Sequence, residues 1–194
     1  MRKLLILAGP SAVGKTTVAL KIMELEPSKF EFVRSATTRA PRGDGNDSEY
    51  LYLSDIEFRN RLSLGEMLEY TEYGEFLYGT PRSEIERIFA SGRTPLLVLD
   101  INGVESLKRF KDDLLAFAVY FTEELSVLDD RLYARALADG LTEKALKNYE
   151  KRRAQNRSDI RRVEGMCGIF DLVIKNETVD KSAKTVLNEF YSIK

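Results

Sequence analysis

The chain has 194 residues, with 30 Lys and Arg against 31 Asp and Glu, and its 43% hydrophobic content is enough for one domain with a buried core and small insertions. A net charge of -1 favours neither nucleic acid nor an anionic membrane as a partner, and the absence of histidine removes imidazole bases, Ser-His-Asp triads and His-ligated metals. The single cysteine, Cys167, can close no disulfide within the chain and has no imidazole to activate it, which suits a packing residue in a reducing, cytoplasmic setting.

The first predicted element is a short buried strand, Leu4–Ala8. Its apolar run is far too short to span a membrane. Met1-Arg2-Lys3 precedes it, but Gly-Pro-Ser follows where a leader would need a cleavage site. The run stops at Gly9 and continues as Gly9-Pro10-Ser11-Ala12-Val13-Gly14-Lys15-Thr16-Thr17 into a predicted helix, Thr16–Leu25. The spacing G-x-x-x-x-G-K-T between a strand and a helix is that of an ATP-binding phosphate loop. Gly9 and Gly14 let the backbone turn tightly and approach phosphate oxygens. The free N–H groups and the dipole at the helix start favour an anion. Lys15 can reach the β- and γ-phosphates, and the Thr16 hydroxyl can ligate Mg²⁺.

A second strand is predicted over Phe32–Arg34. From Arg39 to Gly92 the rhythm changes. RAPRGDGND is polar and turn-rich, and three short aromatic runs follow: YLYL (Tyr50–Leu53), MLEYTEY (Met67–Tyr73) and EFLYG (Glu75–Gly79). Ser54-x-x-Glu57 is the capping-box signal of a short helix after the first run. This stretch reads as a small mixed α/β subdomain inserted into the sheet.

The strand and helix alternation then resumes. TPLLVLD ends an apolar run in Asp100, and an acid at the C-terminal end of a strand faces the crevice where α/β sheets bind ligands. A helix is predicted over Val104–Phe110 and a strand over Leu115–Phe121. The helix Leu125–Leu137 places Leu125, Leu128, Leu132 and Ala136 on one face. Between Arg131 and Arg162 lie Arg131, Arg135, Arg152, Arg153, Arg157, Arg161 and Arg162. Composition leaves two readings of that run open, a solvated helical face or an anion-gripping lid. A strand at Leu172–Lys175 and a helix at Asp180–Tyr191, with Ala183, Val186, Leu187 and Phe190 inward, close the chain. The alternation predicts an α/β fold, a parallel sheet flanked by helices.

A phosphate loop also serves GTPases and motors. No N-K-x-D base reader is present, since Lys175-Asn176-Glu177 runs in the wrong order, and a motor needs more chain. A small-molecule kinase suits the length, the aromatic insertion and the arginines.

Several spaced motifs resemble those of guanylate kinases, in collinear order: SATTRAPR (Ser35–Arg42), Tyr50-Leu51-Tyr52, LEY (Leu68–Tyr70), YGTP (Tyr78–Pro81), LDING (Leu99–Gly103) and FDLVIKN (Phe170–Asn176). The likeness is close from residue 4 to about 128 and again after 170, and loose between. It implies a P-loop kinase with a core (1-34, 93-125 and 165-194), a GMP-binding subdomain of about 35-92 and a helical lid of about 126-164. It implies phosphoryl transfer from ATP to GMP with Mg²⁺ at Thr16, Asp100 contributing through water. It places Arg39, Arg42, Tyr50 and Tyr78 on the GMP phosphate, and Ser35, Glu69, Thr80 and Asp100 on the guanine side. Lys15, Arg39, Arg131, Arg135 and Arg152 become the catalytic cations.

The residue chemistry fits these implied roles. Guanidinium forks at Arg39 and Arg42 bind phosphate oxygens with paired hydrogen bonds. Guanine offers donors at N1–H and N2–H₂ and an acceptor at O6. A Glu69 carboxylate accepts from those donors and a Thr80 hydroxyl can donate to O6. From the residues alone, Tyr50 and Tyr78 read equally well as core aromatics and Glu69 as a surface acid.

Two departures from the family pattern stand out. The loop Gly43–Glu49 is slightly short and lacks a Pro-Gly-Glu run, and Tyr149 occupies the spacing of a family lid arginine, so that either Arg152 or Arg153 takes that role or the contact is lost. A related kinase acting on a ribose bisphosphate remains open, since it would not need Glu69 and Thr80. So does a non-catalytic interaction module, although such modules typically lose the phosphate loop.

Overall fold

The computed structural model describes residues 2–41, 49–73, 75–109, 114–166 and 168–193. In chain order its first half forms β1 (Arg2–Ala8), α1 (Lys15–Leu25), β2 (Phe30–Phe32), β3 (Ser35–Thr37), β4 (Tyr50–Tyr52), α2 (Asp55–Ser63), β5 (Met67–Tyr73), β6 (Phe76–Pro81) and α3 (Arg82–Ala90). The second half forms β7 (Thr94–Val98), α4 (Ile101–Arg109), β8 (Leu114–Thr122), α5 (Leu125–Ala138), α6 (Glu143–Glu164), β9 (Leu172–Lys175) and α7 (Val179–Ser192).

The main sheet is parallel throughout, in the order β2-β7-β1-β8-β9. β1 is its central strand. Leu5 and Leu7 face one hydrophobic layer while Leu4, Ile6 and Ala8 face the other. A strand covered on both faces needs an unbroken apolar run, which is why the sequence does not alternate there. On the first face α1 contributes Val18, Ala19 and Ile22, and α7 contributes Ala183, Val186, Leu187 and Phe190. The Phe190 ring packs edge-on against Phe30 at 5.5 Å and Phe117 at 5.9 Å between centroids. On the second face α3 contributes Ile85 and Ile88, and α4 contributes Ile101, Val104 and Leu107.

A second, four-stranded sheet has the order β4-β3-β6-β5, parallel only between β3 and β4. It has its own small core of Ala36, Phe58, Met67 and Leu77. α2 closes that core and starts on a full capping box. Ser54 Oγ accepts from Glu57 N at 3.2 Å, and Glu57 Oε2 accepts from Ser54 N at 2.8 Å.

The chain leaves the main sheet at Arg34 and returns through α3, and an ion-pair network ties the two passages. Arg34 donates to Glu84 at 2.7 and 3.0 Å, and Arg87 reaches Glu84 at 3.1 Å and Glu31 at 2.7 Å. Arg93 pairs with the same Glu31. Arg34's hydrogen bond is the main reason that the buried Glu84 carboxyl lies at about 2.

Two expectations shift here. The strand read at Phe32–Arg34 lies earlier, at Phe30–Phe32, because Phe32 pairs with Leu96 of β7 while Arg34 turns to Glu84. β7 ends at Val98, so Asp100 lies just beyond the strand. There it holds the first turn of α4, accepting from Gly103 N at 2.8 Å.

α5 and α6 are joined by a short turn at 139–142 and tied by Arg153 Nε to Asp129 Oδ2 at 2.7 Å and by the Tyr133–Tyr149 ring contact at 5.7 Å. Among the described residues no helix is long and apolar enough to cross a membrane.

Candidate active site

The phosphate loop spans the step from β1 to α1. Gly9 has φ +146° and Gly14 φ +101°. A Cβ on Gly9 would lie 2.7 Å from Phe121 O, and one on Gly14 would lie 2.6 Å from Asn176 Nδ2. Only glycine meets both demands. α1 begins at Lys15 without a side-chain cap, so no side chain from the cap position occupies the amides of its first turn. Thr16 is partly exposed and Thr17 exposed on that turn. Asn176 buttresses the loop: Nδ2 donates to Val13 O at 2.6 Å and Oδ1 accepts from Ser182 Oγ at 2.8 Å.

Lys15 Nζ folds back to donate to Gly9 O at 2.7 Å and Pro10 O at 3.0 Å. Burial of the ammonium lowers its pKa to about 8, with Asp100 opposing, Arg152 and Arg135 reinforcing, and Asp159 opposing. The residues named there are the ones gathered about it.

Arg131 Nη1 donates to Ala12 O at 3.3 Å and also faces Glu123 at 3.5 Å. The Arg135 pKa is lowered by burial and by the neighbouring charges of Arg152 and Arg131. Among the described residues neither Arg135 nor Arg152 makes an ion pair with a carboxylate. Three guanidiniums crowded at a loop with uncapped amides have the charge and donors that suit a polyanion. Arg153 and Arg157 instead turn to Asp129.

The second cluster is built by strand register. Glu69 on β5 lies opposite Thr80 on β6, next to an irregularity between Met67 and Glu69, so both side chains share a face. Thr80 Oγ1 donates to Glu69 Oε1 at 2.6 Å. With its proton on Glu69, Thr80 presents lone pairs outward, and donation to a guanine O6 requires the hydroxyl to turn away. Burial raises the Glu69 pKa to about 7, Thr80 opposes, and the nearby Asp100 charge adds to the rise. Asp100 thus acts on both Lys15 and Glu69, standing between the phosphate loop and the second cluster.

Arg39, Tyr50 and Tyr78 come together on the second sheet. The Arg39 guanidinium stacks 5.1 Å from the Tyr50 ring and 5.8 Å from Tyr52, and Tyr50 lies 6.4 Å from Tyr78. Ser35 pairs with Tyr50 in the β3–β4 register. Arg42 and Cys167 lie outside the described residues, as does most of the short loop before Tyr50.

Two contributors, Asn156 and Asp159, carried no sequence signal of their own, and a third, Gly103, lay in the LDING motif without a role assigned to it. Asn156 of α6 pairs with the Ser11 backbone. Asp159, half-buried, acts on Lys15 and feels Asp100. Gly103 leaves room where a Cβ would sit 3.2 Å from Glu69 Oε2. The i, i+4, i+7 spacing of Arg152, Asn156 and Asp159 is the pattern that places them on one helix face.

The guanylate kinase family model matches residues 1–192. A guanylate kinase of Lactobacillus delbrueckii subsp. bulgaricus is 38% identical over 133 residues, 68% of this chain and 65% of that protein. One from Lactobacillus acidophilus is 33% identical over 177 residues, 91% of this chain and 81% of that protein. The crystal structure of guanylate kinase from Anaplasma phagocytophilum superposes with a TM-score of 0.71 at 24% identity, covering 100% of this chain and 87% of that one, a likeness of fold. The chain belongs to the guanylate kinase family.

Proposed function

We infer that this chain transfers the γ-phosphoryl group of ATP to the phosphate of GMP, giving ADP and GDP. The observation that carries the reading is the buried Glu69–Thr80 pair set across Asp100 from an intact phosphate loop, in a chain matched by its family along residues 1–192. A ribose bisphosphate acceptor offers that buried carboxylate only sugar hydroxyls and no adjacent pair of N–H donors like guanine N1–H and N2–H₂. An interaction module gives the arginine cluster no anion to neutralise.

In this reading residues 1-34, 93-125 and 165-194 form the core, about 35-92 the GMP-binding unit, and about 126-164 the lid. The separate cluster of Ala36, Phe58, Met67 and Leu77 supports the first division. The enzyme works in the cytoplasm.

The loop from Gly9 to Thr17 cradles the ATP phosphates, and Lys15 leaves its two carbonyl partners for the β- and γ-oxygens. Glu69 accepts from guanine N1–H and N2–H₂, with Thr80 holding the carboxylate, and Ser35 and Asp100 complete the guanine side. Arg39, Arg42, Tyr50 and Tyr78 orient the GMP phosphate. An oxygen of that phosphate attacks the γ-phosphorus as the bond to the β-bridging oxygen breaks. Its second pKa of about 6 leaves it largely ionised at neutral pH, so no general base is required. Lys15, Arg131, Arg135 and Arg152 spread the charge on the moving group. Among the described residues no three Asp, Glu, His or Cys side chains form a metal cage. One hydroxyl at Thr16 and a carboxylate at Asp100 suit a Mg²⁺ that arrives with the nucleotide and keeps several waters. When bound, that ion neutralises phosphate charge.

ADP release from ATP and Mg²⁺ should require GMP and stop when the metal is chelated. ADP release that ignores GMP, while ATP binds, refutes the reading.

A further inference from the structure

We propose that Asn156 is a positioning residue for phosphoryl transfer: its carboxamide locks α6 to the phosphate loop at Ser11, and that register delivers Arg152, one helical turn away, to the phosphates. The proposal rests on the kinase reading above.

Asn156 is 0% exposed, and α6 buries only it and Ala145. Its Oδ1 accepts from Ser11 N at 2.7 Å while its Nδ2 donates to Ser11 O at 3.1 Å. One carboxamide thus satisfies both backbone groups of a single loop residue, across 145 positions of sequence. Two bonds to one residue fix both distance and tilt. The orientation of the amide follows from its partners, because an N–H needs the oxygen and a carbonyl needs the nitrogen.

A leucine could anchor a helix by apolar packing alone, as the partly buried Ile160 and Val163 of the same helix already do against the two core layers. A buried amide adds register. An α-helix turns about 100° per residue, so a slip of one position would swing Asn156 off Ser11 and leave buried polar groups unpaired. The same slip would exchange the neighbours of Arg152. Residues 152, 156 and 159 share a face by the i, i+4, i+7 rule. The charges of Arg152 and Asp159 both act on Lys15, while Arg153, on the next face, is held by Asp129 at 2.7 Å. The Asn156 contact therefore selects which of two adjacent arginines faces the loop. It also commits both backbone groups of Ser11 to the lid, leaving the amides from Ala12 onward for phosphate.

A double-mutant cycle in kcat tests this, using the full chain with saturating ATP and GMP: wild type, Asn156→Ala, Arg152→Ala and the pair. Asn156→Ala is expected to lose roughly tenfold in kcat, with KM for GMP within about twofold of wild type. In the Arg152→Ala background the same change should alter kcat by less than about twofold, because its effect runs through Arg152. An equal factor in both backgrounds, no loss of kcat, or a loss confined to KM overturns the proposal. If Asn156→Ala does not fold, Asn156→Ser, which keeps one hydrogen-bonding group, carries the same cycle with the same criteria. A wild type that phosphorylates GMP but gives a multiplicative cycle removes the role of Asn156 alone. A wild type with no GMP turnover removes the kinase reading and this proposal together.

Discussion

The Thr80 hydroxyl donates to Glu69 Oε1 across 2.6 Å, in a cross-strand pair whose members are 0% and 5% exposed. Removal from water is the main cause that lifts the Glu69 carboxyl to about 7, and under the proposed role of Glu69 guanine recognition should depend on pH. Guanine donors favour the ionised form, so KM for GMP should fall as pH rises from about 6 to about 8. The GMP phosphate titrates near 6 as well, so the profile of Glu69→Gln is the control. Identical profiles for the two proteins would contradict the role of Glu69. Stability should move the other way. Between the ordinary carboxyl value of 4.5 and about 7 the unfolded chain releases a proton that the folded chain keeps, so stability falls with rising pH across that window. The loss is on the order of 3 kcal/mol, readable by denaturant titration of wild type against Glu69→Gln.

Gly103 sets how closely α4 approaches that carboxylate. A methyl group there would meet Glu69 Oε2 at 3.2 Å, Leu99 Cβ at 3.3 Å and Asp100 Oδ1 at 3.4 Å. Alanine is the better helix former by about 1 kcal/mol, which the strain of those three close contacts opposes, so Gly103→Ala should change the melting temperature little while its kinetic effect is large. It should raise KM for GMP roughly tenfold by displacing Glu69, with KM for ATP unchanged. Steady-state kinetics with each nucleotide varied in turn checks this.

Lys15 is held near pH 8 by burial and by the arginines opposite. Triphosphate binding should raise that value again, so ATP should bind with proton uptake at a pH of about 8.5. Calorimetry in buffers of different ionisation heat reads the uptake, and Lys15→Met should abolish it. Lys15→Ala should lower kcat by about 10²-fold or more with the fold kept, as judged by circular dichroism.

Glu84 joins the two passages between the sheets. Its carboxyl is held down at about 2, chiefly by Arg34. The stability it contributes is present above the ordinary carboxyl value of 4.5 and is lost as pH falls toward about 2. Arg34 and Arg87 are partly exposed, which screens the network. Glu84→Gln should therefore cost about 2 kcal/mol at neutral pH, and the difference from wild type should vanish in acid. Urea titrations at several pH values measure both.

Much of the fold was legible because its constraints are local. Gly9 and Gly14 mark a turn that no other residue can make, and Ser54 with Glu57 spells out a helix start. The unbroken run in β1 signalled a central parallel strand. Where contacts are distant, the sequence is silent. The position of β2 depends on Phe32 pairing with Leu96 and on Arg34 reaching Glu84. Nothing local distinguishes Arg152 from Arg153, since the choice depends on Asn156 meeting Ser11. The direction of the Thr80 proton depends equally on the strand pairing that sets Glu69 opposite it. The candidate guanine and phosphate residues came from spaced motifs that resemble a family, and their own chemistry left a structural reading open.

The most direct measurement is kcat/KM for GMP, dGMP, AMP and a ribose bisphosphate as acceptors, with ATP and Mg²⁺, in wild type and Glu69→Gln. GMP should exceed AMP by about 10³-fold or more in wild type, and Glu69→Gln should collapse that ratio. No turnover with GMP, or a ratio untouched by the substitution, would contradict guanine recognition by the buried carboxylate.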